Sequence, residues 1–177
     1  MDDPPDRNET FSFFVENDLE IILRKAALDD AKLVYDLSNE DLVRENSINQ
    51  HKIIWEDHIN WFSNKITNSN CLFLLGFTKG NQFIGQVRID IDNNDSTIGI
   101  SITKEFRGKG LSTYLLMNSA NLFFDKFESI ASITAKINKN NEPSLSTFIK
   151  AGFVFSHTEK INLTEFLVFK LGRNNEV

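Results

Sequence analysis

The sequence predicts a mixed α/β domain, with a mostly antiparallel central sheet of about seven strands flanked by four helices. Three observations carry this. Short runs such as Phe83 to Ile91 and Ile98 to Thr103 alternate apolar and polar residues, the period of a strand with one face buried. Longer runs space apolar residues at i, i+4, i+7 and i+11, the period of a helix with one apolar face. The 177 residues, 41% of them hydrophobic and 16 of them Phe, suffice for one sizeable core and exclude a disordered chain.

In chain order, residues 1–18 read as an acidic extension. Its first half, with Asp2, Asp3, Asp6 and two prolines, is expected to be disordered. Phe11, Phe13, Phe14 and Val15 are expected to dock on the domain, with a dimer contact as the alternative. Residues 19–177 form a single domain. Glu20 to Lys25 is its first strand. Asp29-Asp30 caps a helix through Leu37, with the stripe Leu33, Val34 and Leu37. Leu42 to Asn49 has no clean period. Trp55, Ile59, Phe62 and Ile66 define a helix over Trp55 to Lys65. Leu72 to Phe77 and Phe83 to Ile91 make a hairpin about Lys79-Gly80-Asn81, and Asn93-Asn94-Asp95 turns the chain into the strand at Ile98. A long helix from Leu111 buries Leu116, Ala120, Phe123 and Phe127. Ile130 to Ile137 is a strand, and the next helix starts near Pro143 and ends at Gly152. Phe153 to Phe155 and Glu165 to Leu171 close the sheet, and Gly172 to Val177 is expected to fray.

The net charge of −6 argues against nucleic acid or an anionic membrane surface as a partner. No apolar run approaches the roughly 18 residues of a membrane helix, and the acidic start is no signal peptide, so the expected location is the cytoplasm. Cys71 is the only cysteine, which excludes an internal disulfide and a thiolate metal cluster. It reads as a core thiol, and no metal site is expected.

Ile98 to Ser112 organises the chain, because it sets a strand, the basic glycine loop Arg107-Gly108-Lys109-Gly110 and a helix start in one run. Glycines at a helix mouth let unpaired backbone N–H groups approach a ligand, and the helix dipole adds positive charge. A phosphate or pyrophosphate suits such a cradle; the alternative is a plain strand-to-helix turn with solvated charges. A P-loop ending in Gly-Lys-Ser/Thr is absent, as is a GxGxxG with a following ribose-binding acid.

Arg107-Gly108-Lys109-Gly110-Leu111-Ser112 resembles the Arg/Gln-x-x-Gly-x-Gly/Ala acyl-CoA loop of the GNAT superfamily of N-acetyltransferases, with Ser112 in place of the last Gly or Ala. Asn141 to Phe153 is similar to the superfamily's Asn-x-x-Ala/Ser-x-x-x-Tyr/Phe-x-Lys-x-Gly-Phe segment, at the expected distance. The resemblance spans Leu19 to Leu171. It implies a GNAT fold with one opening in its sheet, acetyl-CoA as co-substrate and acetyl transfer to a primary amine. It further implies that the pantetheine arm pairs with the backbone around Ile100, Ile102 and Thr103. The pyrophosphate then sits on Arg107, Gly108, Lys109, Gly110, Leu111 and Ser112, with Asn141, Ser144 and Phe148 against the cofactor.

Two departures bear on the chemistry. Phe148 stands where many members carry a tyrosine that protonates the departing thiolate, so another group or solvent must do so. Ser96 and Thr97 stand near the usual glutamate base. Asp90 is the first candidate base, with Glu56 and His58 behind it. Gln86, Arg88 and Asp90 alternate with Val87, Ile89 and Ile91, and this polar row is either the wet face of the sheet or the floor of a polar site. Leu23-Arg24-Lys25-Ala26, Arg44-Glu45-Asn46-Ser47, the Glu56 to Phe62 helix and Ile84-Gly85-Gln86-Val87-Arg88 resemble N-acetyltransferases of nucleotide-linked amino sugars. The nearest are those acting on the 4-amino group of a UDP-linked deoxy sugar on the pseudaminic acid route. That resemblance makes Arg44, Asn46, Gln86 and Arg88 the acceptor-binding residues. The alternatives are acetylation of a protein N-terminus, a lysine or another small-molecule amine, and a non-catalytic acyl-CoA-binding module. Phe13, Phe14 and exposed sheet edges leave a homodimer open.

Overall fold

A computed structural model of the chain describes residues 10–15, 19–93 and 95–173. The expectations for residues 1–9 and 174–177, and for Asn94 in its turn, lie outside these residues. Eight strands form one sheet: β1 (Thr10–Val15), β2 (Leu19–Lys25), β3 (Cys71–Thr78), β4 (Phe83–Asp92), β5 (Asp95–Ile102), β6 (Ser132–Asn138), β7 (Val154–Ile161) and β8 (Thr164–Gly172). Their order is β1-β2-β3-β4-β5-β6-β8-β7. Five helices accompany them: α1 (Ala31–Ser38), α2 (Asp41–Glu45), α3 (Trp55–Thr67), α4 (Leu111–Lys126) and α5 (Glu142–Lys150).

The sheet thus has one strand, and the chain one helix, more than the sequence predicts. The extra strand is β1, antiparallel to β2 from Thr10↔Arg24 to Val15↔Leu19. Phe11 and Phe13 pack against the core and Val15 is buried, whereas Phe14, on the opposite side of the pleat, is 67% exposed. The extra helix, α2, is five residues long, too short to show a period. The strand β7 runs well beyond its predicted end; a bulge between Phe155 and His157 breaks the alternation that would have marked it.

Helices cover both faces of the sheet, and β3 is buried on both. Leu72 and Leu74 join Val87, Ile89 and Ile98 under Leu115, Leu116, Ala120 and Phe123 of α4. Phe73, Leu75 and Phe77 join Ala31 and Val34 of α1 and Phe62 of α3. A strand sandwiched in this way reads as a continuous apolar run, as Leu72 to Phe77 does. The buried stripe of α3 is rotated from the predicted one: His58 and Phe62 are enclosed, at 1% and 0% exposure, while Trp55 stands 37% exposed.

Two local expectations are corrected. Asp30 does not cap α1 with its side chain. Its carboxylate takes both arms of the Arg24 guanidinium at 2.7 Å and the Ala27 N–H at 2.8 Å, because a cation beside a buried carboxylate outcompetes a cap. Gly172 does not fray: it ends β8, and the neighbouring Arg173 donates to the carbonyls of Phe124, Phe127 and Ile130, closing the C-terminus of α4.

Every strand pair is antiparallel except β5–β6, which is parallel and confined to Thr97↔Thr134 and Ile98↔Ala135. Past Ile98 the described part of β5 faces an opening in the sheet. Among the described residues no helix is long and apolar enough to cross a membrane, and no three His, Cys, Asp or Glu side chains gather to hold a metal.

Candidate active site

At the top of that opening the chain leaves β5, makes a 3-10 turn at Lys104–Phe106 and enters α4. Gly108 (φ 72°) and Gly110 (φ 74°) are left-handed, a conformation that glycine adopts without a Cβ penalty. A Cβ added at either would meet nothing within 4 Å, so the mouth of the loop is open. No side chain caps α4 at Gly110, which leaves the N–H groups of the first turn for an incoming anion. The cradle therefore fits a pyrophosphate.

Its side chains are held from behind. The Arg107 Nε donates to the Ile102 carbonyl at 2.9 Å, and its Nη2 pairs with the Glu40 carboxylate. Lys109 is exposed, with its Nζ 5.0 Å from the centre of the Phe106 ring. The Ser112 hydroxyl lies 3.2 Å from the Thr147 hydroxyl on α5, so the residue that departs from the family pattern joins the two motif helices. Thr103 donates to the carbonyls of Phe83 and Ile84. Ile100 and Ile102 pack their side chains on the core beneath α4. Asn141 caps α5, accepting from the Ser144 N–H at 3.2 Å. Phe148 is buried edge-on against Phe153, 5.0 Å between ring centres.

On the α1–α3 face, the polar row of β4 is a connected floor. Arg88 lies over the Trp61 ring at 4.9 Å and donates through Nε to Asp90 at 2.7 Å. Lys65 of α3 donates to the other Asp90 oxygen, also at 2.7 Å. Across the strand pair Arg88 faces Gly99, whose missing side chain leaves open space above β5. Gln86 reaches the Ser38 hydroxyl at 3.4 Å, and its Oε1 is buried without a partner among the described residues.

The three candidate bases are not brought together. Burial alone would raise the Asp90 carboxyl, but the charge of Arg88 and the hydrogen bonds from Lys65 and Arg88 outweigh it and hold Asp90 below its ordinary range. Such a group stays ionised and is a weak proton acceptor. Desolvation pushes His58 down, against a smaller upward pull from Ala31. Its Nε2 lies 2.9 Å from the Ala31 carbonyl, and Tyr35, Trp55, Trp61 and Phe62 surround the ring. His58 is a neutral packing histidine that pins α1 to α3. Glu56 is exposed in the first turn of α3, roughly 13 Å along the helix axis from Lys65, the residue of that helix that bonds Asp90. Cys71, beside Asp90, is the core thiol the sequence predicts, pushed up to about 12 by desolvation and by the Asp90 charge.

Nor do all four acceptor candidates meet. Arg44 closes its own loop, donating to the Asn49 and His51 carbonyls and to the Ser47 hydroxyl. Asn46 donates to the Leu42 carbonyl one turn back. Gln86 and Arg88 alone lie on the floor. Sequence reasoning missed Glu40, Ser38, Lys65 and Thr147, whose partners lie between 25 and 67 positions away. Trp61 lay within the Glu56 to Phe62 helix of the resemblance, but off the apolar period of that helix.

Solved structures share this architecture. An uncharacterized protein from Bacillus halodurans superposes with a TM-score of 0.76 at 18% identity, covering 96% of this chain and 93% of that one. Spermidine N-acetyltransferase from Vibrio cholerae, in complex with CoA and spermine, gives 0.77 at 15% identity, with 86% and 95% covered. Aminoglycoside acetyltransferase AAC(6')-Ib, in complex with coenzyme A and kanamycin, gives 0.73 at 16% identity, with 86% and 95% covered. At these identities the likeness is one of fold. No curated protein matches the chain significantly. Residues 20–154 match the model of the acetyltransferase (GNAT) domain, and with the open glycine cradle, the capping asparagine and the split sheet the chain belongs to that family of acetyl-CoA-dependent N-acetyltransferases.

Proposed function

We propose that the protein acetylates the primary amine of a small acceptor that carries negative charge, the 4-amino group of a nucleotide-linked deoxy sugar being the form its acceptor motifs favour. Arg88 carries this reading. Laid on Trp61 and held at Nε by Asp90, it has two terminal nitrogens without a hydrogen-bond partner among the described residues, beside the open backbone at Gly99. A forked guanidinium fixed in this way suits a carboxylate or phosphate. Asp90 then acts as a positioning residue for Arg88.

Acetyl-CoA, when bound, supplies an activated acetyl thioester. Residues Gly108 to Ser112 would hold its pyrophosphate through backbone N–H groups, and the β5 edge past Ile98 would orient its arm. Asp90 and His58 do not deprotonate an ammonium, so the acceptor reacts as its free amine, with the proton lost to solvent. Phe148 has no proton to give, and protonation at sulfur likewise falls to water.

Incubating the protein with acetyl-CoA and a panel of amines, with thiol release as the readout, tests the proposal. Turnover on anionic amino sugars and a rise in acceptor KM on Arg88→Ala, with acetyl-CoA affinity unchanged, support it. A second reading, a cationic acceptor, draws on the net charge of −6 and the exposed Glu56 and Asp57 at the start of α3. The spermine and kanamycin in the neighbours' complexes are of that kind. Turnover confined to polyamines or aminoglycosides, and unaffected by Arg88→Ala, would replace the first reading with this one. A cytoplasmic location and a homodimer complete the proposal; light scattering on the purified protein checks the latter.

A further inference from the structure

Among the described residues, the one bond from the cradle's arginine to another side chain runs to the junction of two helices. Glu40 sits between α1 and α2, where its backbone is fixed at both ends: its N–H donates to the Leu37 carbonyl, and its carbonyl accepts from Val43 and Arg44. Its carboxylate meets Arg107 Nη2, and both side chains are less than a third exposed. The Arg107 guanidinium is meanwhile anchored on the Ile102 carbonyl, the last residue of β5. Glu40 is therefore a strut with one end on the cofactor loop. The other end is the α1–α2 cover, which touches the acceptor floor through Ser38 and Gln86 and whose loop is closed by Arg44.

The charges matter as much as the link. An unpaired arginine at the mouth of an anion cradle would swing toward the anion and away from β5. Paired, it is held as a brace, and the anion is left to the backbone N–H groups and to Lys109. We propose that Glu40 is a positioning residue that holds Arg107, and through it residues 107–110, in the anion-binding conformation. By the same bond it couples the cofactor loop to the α1–α2 cover, so that an occupied cradle steadies the acceptor side. This rests on the reading of Gly108 to Ser112 as the pyrophosphate cradle.

The test is calorimetric titration of the full chain with CoA, for wild type, Glu40→Gln, Arg107→Gln, the double variant and the charge-exchanged pair Glu40→Arg/Arg107→Glu. Thermal unfolding is run on each, and amide exchange of residues 38–51 is followed with and without CoA. Each single variant is expected to weaken CoA binding roughly five- to tenfold, and the double variant to be no worse than the singles. The exchanged pair should recover part of the loss, and Tm should move by only a few degrees. In wild type, CoA should slow exchange in residues 38–51, and Glu40→Gln should abolish that slowing. Strictly additive losses, or binding by Glu40→Gln within twofold of wild type, would overturn the proposal. Tighter binding by Glu40→Gln would overturn it as well, because Glu40 would then compete with the anion for Arg107. A wild type that binds no CoA fails the cradle reading itself.

Discussion

The α4 face and the α1–α3 face rest on the same strands, yet they present polar groups to a ligand in opposite ways. Over the α4 face the groups proposed to face a ligand are backbone N–H donors in one short stretch, Gly108 to Ser112, made available by two left-handed glycines and an uncapped helix. On the α1–α3 face they are side chains, Gln86 and Arg88, steadied by Ser38 of α1, by Trp61 and Lys65 of α3 and by Asp90 of the same strand. A site made of backbone needs only a local run of sequence. A site made of side chains exists only once helices and sheet have packed.

The two should therefore fail separately. The largest expected effect is on the side-chain face: Phe62→Ala empties the space between His58 and Phe73, where Phe62 has no exposure, and should cost about 3–5 kcal/mol in urea denaturation. Acetyl-CoA affinity of the folded fraction should stay within about threefold. Next, Gly110→Val puts a β-branched residue at φ 74° and a side chain into the open mouth. It should weaken acetyl-CoA about 100-fold, about 2.7 kcal/mol by calorimetry, with a small change in Tm. Arg88→Ala should raise acceptor KM about 10- to 30-fold with cofactor affinity intact, and Arg88→Lys should restore little, because an ammonium neither stacks nor forks as a guanidinium does.

The smallest effect is a pH dependence confined to the side-chain face. His58 is depressed when folded, so the unfolded chain takes up its proton first as pH falls. Its contribution to stability is complete above about pH 6.5 and is lost below that, toward the depressed folded value, at up to about 1.4 kcal/mol per pH unit. Denaturation at pH 7.5 and 5.5 should show this loss in wild type and a reduced one in His58→Gln.

What was legible in the sequence follows the same division. The strands, α4 and the glycine loop before it were readable because each is set by a period or a motif within some fifteen residues. The period of β1 was present in Phe11, Phe13 and Val15 but sat in an acidic extension, and pairing with β2 decided it. His58 and Asp90, read as bases for their chemistry, proved to be set by neighbours: an aromatic enclosure for one, two cations for the other. Arg44 looked available as a charge and is occupied by carbonyls of its own loop. Ser112 stood out only as a departure from the loop pattern, and its hydroxyl meets that of Thr147. The partners no local pattern could show are Tyr35 and Ala31 for His58, Lys65 for Asp90 and Thr147 for Ser112.

The short pairing between β5 and β6 has a mechanical consequence. Eight facing pairs join β4 to β5 and seven join β6 to β8, but only two join β5 to β6. The opening beside β5 is thus also the weakest seam in the sheet, bridged above all by the apolar packing under α4. Stretched between its ends, the domain should part there first, into an N-terminal five-stranded sheet and a C-terminal three-stranded one. A ligand lying across the seam would then act as a staple, raising the force at which the halves separate.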